Sequence, residues 1–118
     1  MANALYPLWK QELMQFAANN NLSAGTVKVA LIDTGVYTYS AAHQFWSSAS
    51  AASVGTPQTL SGKTFTNGVF DSSTNPTFTA VTGNSVEALI IYIDTGTAGT
   101  FTVQMPANTA ADALIRIA

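Results

Sequence analysis

Thr26-Val27-Lys28-Val29-Ala30-Leu31-Ile32 is the stretch on which the fold turns. It begins as an alternation of polar and apolar residues and ends as an apolar run, the pattern of a β-strand. It meets Asp33-Thr34-Gly35, a turn composition. The most apolar stretch, Val86-Glu87-Ala88-Leu89-Ile90-Ile91-Tyr92-Ile93, reads as a central strand buried on both faces over part of its length. It too runs into Asp-Thr-Gly, at residues 94–96. This echo suggests two strands that end in the same turn and lie side by side in one sheet.

Working outward, the rest of the body reads as β-rich. Tyr37 and Tyr39 alternate with their neighbours, which suggests an extended piece. Residues 40–53 are Ala- and Ser-rich around His43, Phe45 and Trp46, and fit a short helix or an ordered loop. Lys63 to Thr66 reads as a strand, and Asn67-Gly68 is the strongest hairpin signal in the chain, with Val69-Phe70 starting the return. Thr77 to Val81 and Thr100 to Met105 alternate, and Ala113 to Ile117 reads as a last strand. Ahead of this body, Leu5, Leu8, Trp9, Leu13, Phe16 and Ala17 recur at helical spacing, with Pro7 suited to a first turn and Asn19-Asn20-Asn21 to a stop. The expectation is a mainly β, α+β fold: a small antiparallel β-sandwich or barrel with one N-terminal amphipathic helix at about residues 5–19 and a β-rich body at about 26–118.

A chain of 118 residues makes one domain, 1–118, large enough for a core without disulfides or metal. Charge is the unusual quantity. Only 8% of residues are Asp, Glu, Lys or Arg, against roughly 25% in an ordinary soluble domain. Six acids and four bases leave a formal net charge of −2. Lys10, Lys28, Lys63 and Arg116 are too few and too dispersed for a large basic patch, so no nucleic-acid partner is expected. No cysteine is present, which excludes disulfides, thiolate metal sites and a cysteine nucleophile. No apolar run approaches the ~20 residues of a membrane helix, and no basic region followed by an apolar stretch marks a signal peptide. A surface this neutral repels itself little and packs readily against other protein surfaces.

The Asp-Thr-Gly pair is the one motif with a catalytic association. Aspartic proteases place this tripeptide after an apolar strand, and two such carboxylates must share one proton. Two copies in one short chain fit neither the one-copy dimeric type nor the much longer two-lobed type. The alternative needs no catalysis: Asp caps its own turn and Gly takes the left-handed position. His43 is the only histidine, and Glu12, Asp33, Asp71, Glu87, Asp94 and Asp112 are scattered. No nucleophile elbow, metal-ligand spacing, calcium loop or phosphate loop is present, so no catalytic residue, cofactor or metal is expected. Trp9 on the helix stripe, with Tyr37, Tyr39, Phe45 and Trp46, forms the expected set of protein-interface residues. The alternative for the aromatics is that they plug the core. Trp46, Tyr37 and Tyr39 are also what a carbohydrate-binding β-sandwich would use as a stacking platform.

Taken together, Met1 to Tyr6, Val27 to Thr34, Leu60 to Thr64, Gly68 to Asp71, Phe78 to Gly83 and Glu87 to Gly96 resemble, in order and spacing, a family of small structural proteins of tailed bacteriophages. The resemblance runs through most of the chain to Gly96. It implies a non-enzymatic virion protein, most simply a capsid decoration or cement protein bound to the outside of an icosahedral shell and assembled in the host cytoplasm. The implied partners are the major capsid protein and sister copies, a three-fold cluster being the natural homo-oligomer. A head–tail connector, neck or tail role is the alternative within the virion.

Overall fold

The computed structural model describes residues 5–15 and 20–96 and the backbone of 116–117. In chain order the elements are α1 (Pro7–Met14), β1 (Thr26–Ile32), β2 (Ser53–Thr59), β3 (Ser61–Thr66), β4 (Val69–Thr74), β5 (Thr77–Phe78), β6 (Ala88–Asp94) and β7 (Arg116–Ile117). Two 3-10 turns, Trp46–Ser48 and Ser50–Ala52, lie between β1 and β2. The fold is mainly β, with one helix near the N-terminus and antiparallel sheets, as the alternating segments imply.

β1 is the central strand of a three-stranded sheet ordered β2-β1-β6. It pairs antiparallel with β6 in unbroken register from Thr26↔Asp94 to Ile32↔Ala88. The strand expected at the centre, Val86 to Ile93, is therefore β1's neighbour, and β1 takes the middle place. Its alternation ends in an apolar run because both its faces are covered. Val27, Val29 and Leu31 enter one core cluster with Tyr6, Trp9, Val54, Leu60, Phe78 and Ile93. Ala30 and Ile32 face the other side and join Tyr37, Ala49, Ala52, Ala88, Ile90 and Tyr92. The exposed start of β1 is tied down by an ion pair, Lys28 Nζ to Asp94 Oδ2 at 2.6 Å. That pair, with the Gly96 amide, holds the Asp94 carboxyl below its ordinary range.

On the other side β1 pairs antiparallel with β2, and the register shifts between Val29↔Gln58 and Leu31↔Val54. Gly55, Thr56 and Pro57 thus stand opposite Ala30 alone. The bulge suits its residues: Gly55 has a φ of 74°, and Pro57 has no N–H to give a ladder.

β3 and β4 form a two-residue hairpin, Thr66↔Val69 closing the ladder, with φ of 51° at Asn67 and 77° at Gly68. Positive φ at both central residues is the turn that Asn-Gly selects. The hairpin's base is anchored. Leu60 and Ser72 are buried, and the Ser72 hydroxyl donates to the carbonyls of Ser61 at 2.7 Å and Thr74 at 2.9 Å.

Four details differ from the sequence reading. Pro7 does start α1, but Trp9 is its only buried residue; Leu5 and Leu13 of the expected apolar stripe are 39% and 41% exposed. The helix is held by Tyr6 and Trp9 rather than by a full stripe. Tyr37 and Tyr39 lie in irregular backbone, and the strand expected from Thr77 stops at Phe78, with Ala80 at a φ of 52°. The last strand is Arg116–Ile117 and pairs parallel with β5. Phe16, Ala17 and the expected strand Thr100 to Met105 lie outside the described residues. No helix among the described residues is long and apolar enough to cross a membrane.

Candidate functional site

Both Asp-Thr-Gly segments are side-chain-capped turns. The Gly35 amide donates to Asp33 Oδ1 at 2.7 Å, and the Gly96 amide to Asp94 Oδ1 at 2.8 Å. In each the aspartate satisfies a backbone donor two residues on, which is why Asp is favoured there. The first turn is also a junction. Asn84 Nδ2 donates to Asp33 Oδ2 at 2.6 Å, and Glu87 Oε2 accepts from the Thr34 amide at 3.0 Å and the Thr34 hydroxyl at 3.3 Å. The Asp33 amide donates to the Ala52 carbonyl at 3.0 Å. The buried Asp33 thus ties the end of β1 to the loop before β2 and to the loop before β6. A shallow pocket of about 190 Å³, lined by Asp33, Ser53, Gly83 and Asn84 among others, opens beside it.

The antiparallel register settles how the two turns relate within the chain. Asp94 lies opposite Thr26, and Asp33 follows Ile32 at the other end of the same ladder. The two carboxylates are therefore separated by a strand length, roughly 20 Å at about 3.3 Å per residue. Sharing one proton requires contact, so Asp33 and Asp94 do not form an aspartic dyad within one chain. Among the described residues, no three of His, Asp and Glu gather as metal ligands.

The aromatic set divides. Trp9 and Tyr37, expected at an interface, are 5% and 7% exposed and belong to the two faces of the sheet. Their apolar area goes to the chain's own folding. Tyr39, Phe45 and Trp46 are half-buried. Trp46 lies flat on Tyr92, ring centroids 4.3 Å apart and planes 2° from parallel, so one of its faces is already taken. Tyr39 packs against Tyr6 at 5.1 Å. Trp46, Tyr37 and Tyr39 do not present one open platform for a sugar.

Tyr37 is the middle of a hydroxyl chain that the sequence reading missed. Its hydroxyl bonds to that of Tyr6 and, at 2.9 Å, to His43 Nδ1. Tyr6 carries a local signal only as the residue before Pro7, which holds it in extended backbone (φ −58°, ψ 130°) and aims it inward. One end of the hydroxyl chain, Tyr6, is buried in the core, and the other, His43, is half-buried. It acts as a latch between the start of α1 and the loop after β1.

Burial raises these phenols. Tyr92 is pushed up to about 12, first by burial and then by Asp94, and both Tyr6 and Tyr37 are raised, chiefly by burial. Unfolded tyrosine ionises near ~10, so this stability is fully present below pH ~10 and is lost as pH rises through the folded values. In an alkaline titration, the tyrosinate absorbance that Tyr6, Tyr37 and Tyr92 contribute, read as the difference from their Phe variants, is expected to appear together with loss of the β circular-dichroism signal, not before it.

The exposed end of the β3–β4 hairpin completes the inventory. Residues 64–69 are all exposed, with Phe65 at 48% and Val69 at 61%. Phe65 stacks on Phe70 across the ladder at 5.3 Å, and Phe70 packs on the first core cluster. A continuous apolar path thus runs from the core to the tip. Asn-Gly marks this hairpin in the sequence, but its exposure depends on what packs beside it and has no local signal. No protein family, curated protein or solved structure matches the chain.

Proposed function

We propose that the chain is a non-enzymatic structural protein of a bacteriophage virion, a decoration protein that binds the outside of the capsid shell and stabilises it. The observation that carries the reading is the exposed hairpin tip with Phe65 and Val69. Both margins of the β3–β4 pair lie outside any other ladder among the described residues, and its exposed outer part, residues 64–69, is where a strand from a neighbour would add. The charge deficit supports the same reading, because a subunit packed among many copies gains from a surface with little self-repulsion. The resemblance of the sequence blocks to phage structural proteins agrees with it. Each contact would be small, and repetition over the shell would supply the avidity.

The test mixes purified chain with shells that lack it. Co-sedimentation with the shells and a higher shell melting temperature are expected. The double variant Phe65→Ser, Val69→Ser, which alters only exposed positions, is expected to keep its fold and lose binding. A chain that ignores shells but joins a neck or tail subassembly would overturn the decoration role.

A further inference from the structure

We propose that Asn67 is a self-modifying site: in the folded chain its side-chain amide is lost spontaneously, leaving aspartate and isoaspartate at the hairpin tip. The chemistry is intrinsic to the pair Asn67-Gly68. The Gly68 backbone nitrogen attacks Asn67 Cγ, a new N–Cγ bond forms, and the Cγ–Nδ2 bond breaks to release ammonia. Water then opens the resulting succinimide. Cleavage at Cγ gives aspartate, and cleavage at the main-chain carbonyl gives isoaspartate. The only co-reactant is water.

The structure favours this position in three ways. No heavy atom outside its chain neighbours lies within 4 Å of where a Cβ would stand at Gly68, so the turn has open space beside that residue. Asn67 and Gly68 sit outside the ladder, which closes at Thr66↔Val69. Attack requires Asn67 to leave its left-handed turn (φ 51°), and residues 64–69 are all exposed, so that opening breaks no core contact. Asn84, which precedes Ser85, supplies the contrast. Its Nδ2, the group that would leave, is held by Asp33 Oδ2 at 2.6 Å.

Two changes follow at the tip. One added carboxylate takes the formal net charge from −2 to −3. Isoaspartate also inserts a methylene into the main chain, and a two-residue turn of this type has no room for it without losing its register.

The experiment incubates the full chain at mildly alkaline pH, folded and in urea, and follows intact mass, peptide mapping and labelling by an isoaspartyl methyltransferase. In the folded chain a gain of one mass unit at Asn67 is expected, at a rate within about tenfold of the urea rate, because only local opening is needed. Asn84 is expected to convert in urea alone, and Asn67→Gln to abolish the folded-state gain. The proposal fails if Asn67 stays intact in the folded chain while converting in urea, or if Asn84 converts first in the folded chain. Neither result bears on shell binding, which the preceding experiment reads separately.

Discussion

Leu31→Ala is expected to destabilise the chain by about 2–5 kcal/mol, the usual cost of removing a buried leucine and leaving part of its volume empty. Leu31 is 1% exposed and sits in the central strand, between Val54 of β2 and Leu89 of β6 in register. Its neighbours on both sides are fixed by ladders, so the strands cannot close over the gap by sliding. Against a total stability of about 5–15 kcal/mol, a loss of this size removes a large share. Urea unfolding followed by circular dichroism should show a much lower midpoint with an unchanged slope, and the melting temperature should fall by roughly 10 °C or more. Val36→Ala is the control: Val36 is 57% exposed, and its truncation should stay within about 0.5 kcal/mol.

Lys63→Met is expected to cost about 1.5–3 kcal/mol and to loosen the hairpin base specifically. The Lys63 ammonium donates to three main-chain carbonyls, Leu22 at 2.7 Å, Ser23 at 3.1 Å and Gly25 at 2.5 Å. These carbonyls converge because Asn21 folds the segment on itself. Its Oδ1 accepts from the amides of Ser23 and Ala24, and its carbonyl accepts from Gly25 at 2.8 Å. Gly25 is required by the closeness of that turn, since a Cβ there would meet the Asn21 carbonyl oxygen and Ile93 Cγ2, both at 2.9 Å. Methionine keeps the apolar stem and removes the donor, so the loss reads the ammonium rather than packing. Hydrogen exchange should speed up at residues 21–25 and along β3, while the β1–β6 ladder stays protected. Lys63→Arg should restore only part of the protection, because a planar guanidinium does not reproduce a compact ammonium among three converging acceptors.

The parts of this fold that could be read ahead of the structure are those whose cause is local. Alternation passing into an apolar run marked β1, the longest apolar stretch marked β6, and Asn-Gly marked the hairpin turn. The repeated Asp-Thr-Gly correctly suggested neighbouring strands, and pairing direction, which a tripeptide does not encode, put the two turns at opposite ends. β2 escaped notice because Ser53–Thr59 contains Gly55 and Pro57 and little apolar periodicity. It is a strand through its pairing with β1. The Lys63 clasp, the Tyr6–Tyr37–His43 chain and the burial of Trp9 and Tyr37 all depend on packing between distant segments. For the same reason Leu5 and Leu13, placed on a buried stripe by spacing, are half-exposed: little among the described residues packs against that side of α1 to cover them.

The irregular pairing of β2 has a consequence for solubility. A chain with so few charges has little electrostatic protection against open-ended stacking of sheets from copy to copy. Its sheet ends on one side in a strand broken by Gly55 and Pro57, where the backbone turns aside and one donor is missing altogether. A flat, regular margin there would invite an identical strand from the next molecule, and then another. The three residues opposite Ala30 act as a stop codon for sheet growth, and replacing Gly55 and Pro57 with valines would be the shortest route to a fibre.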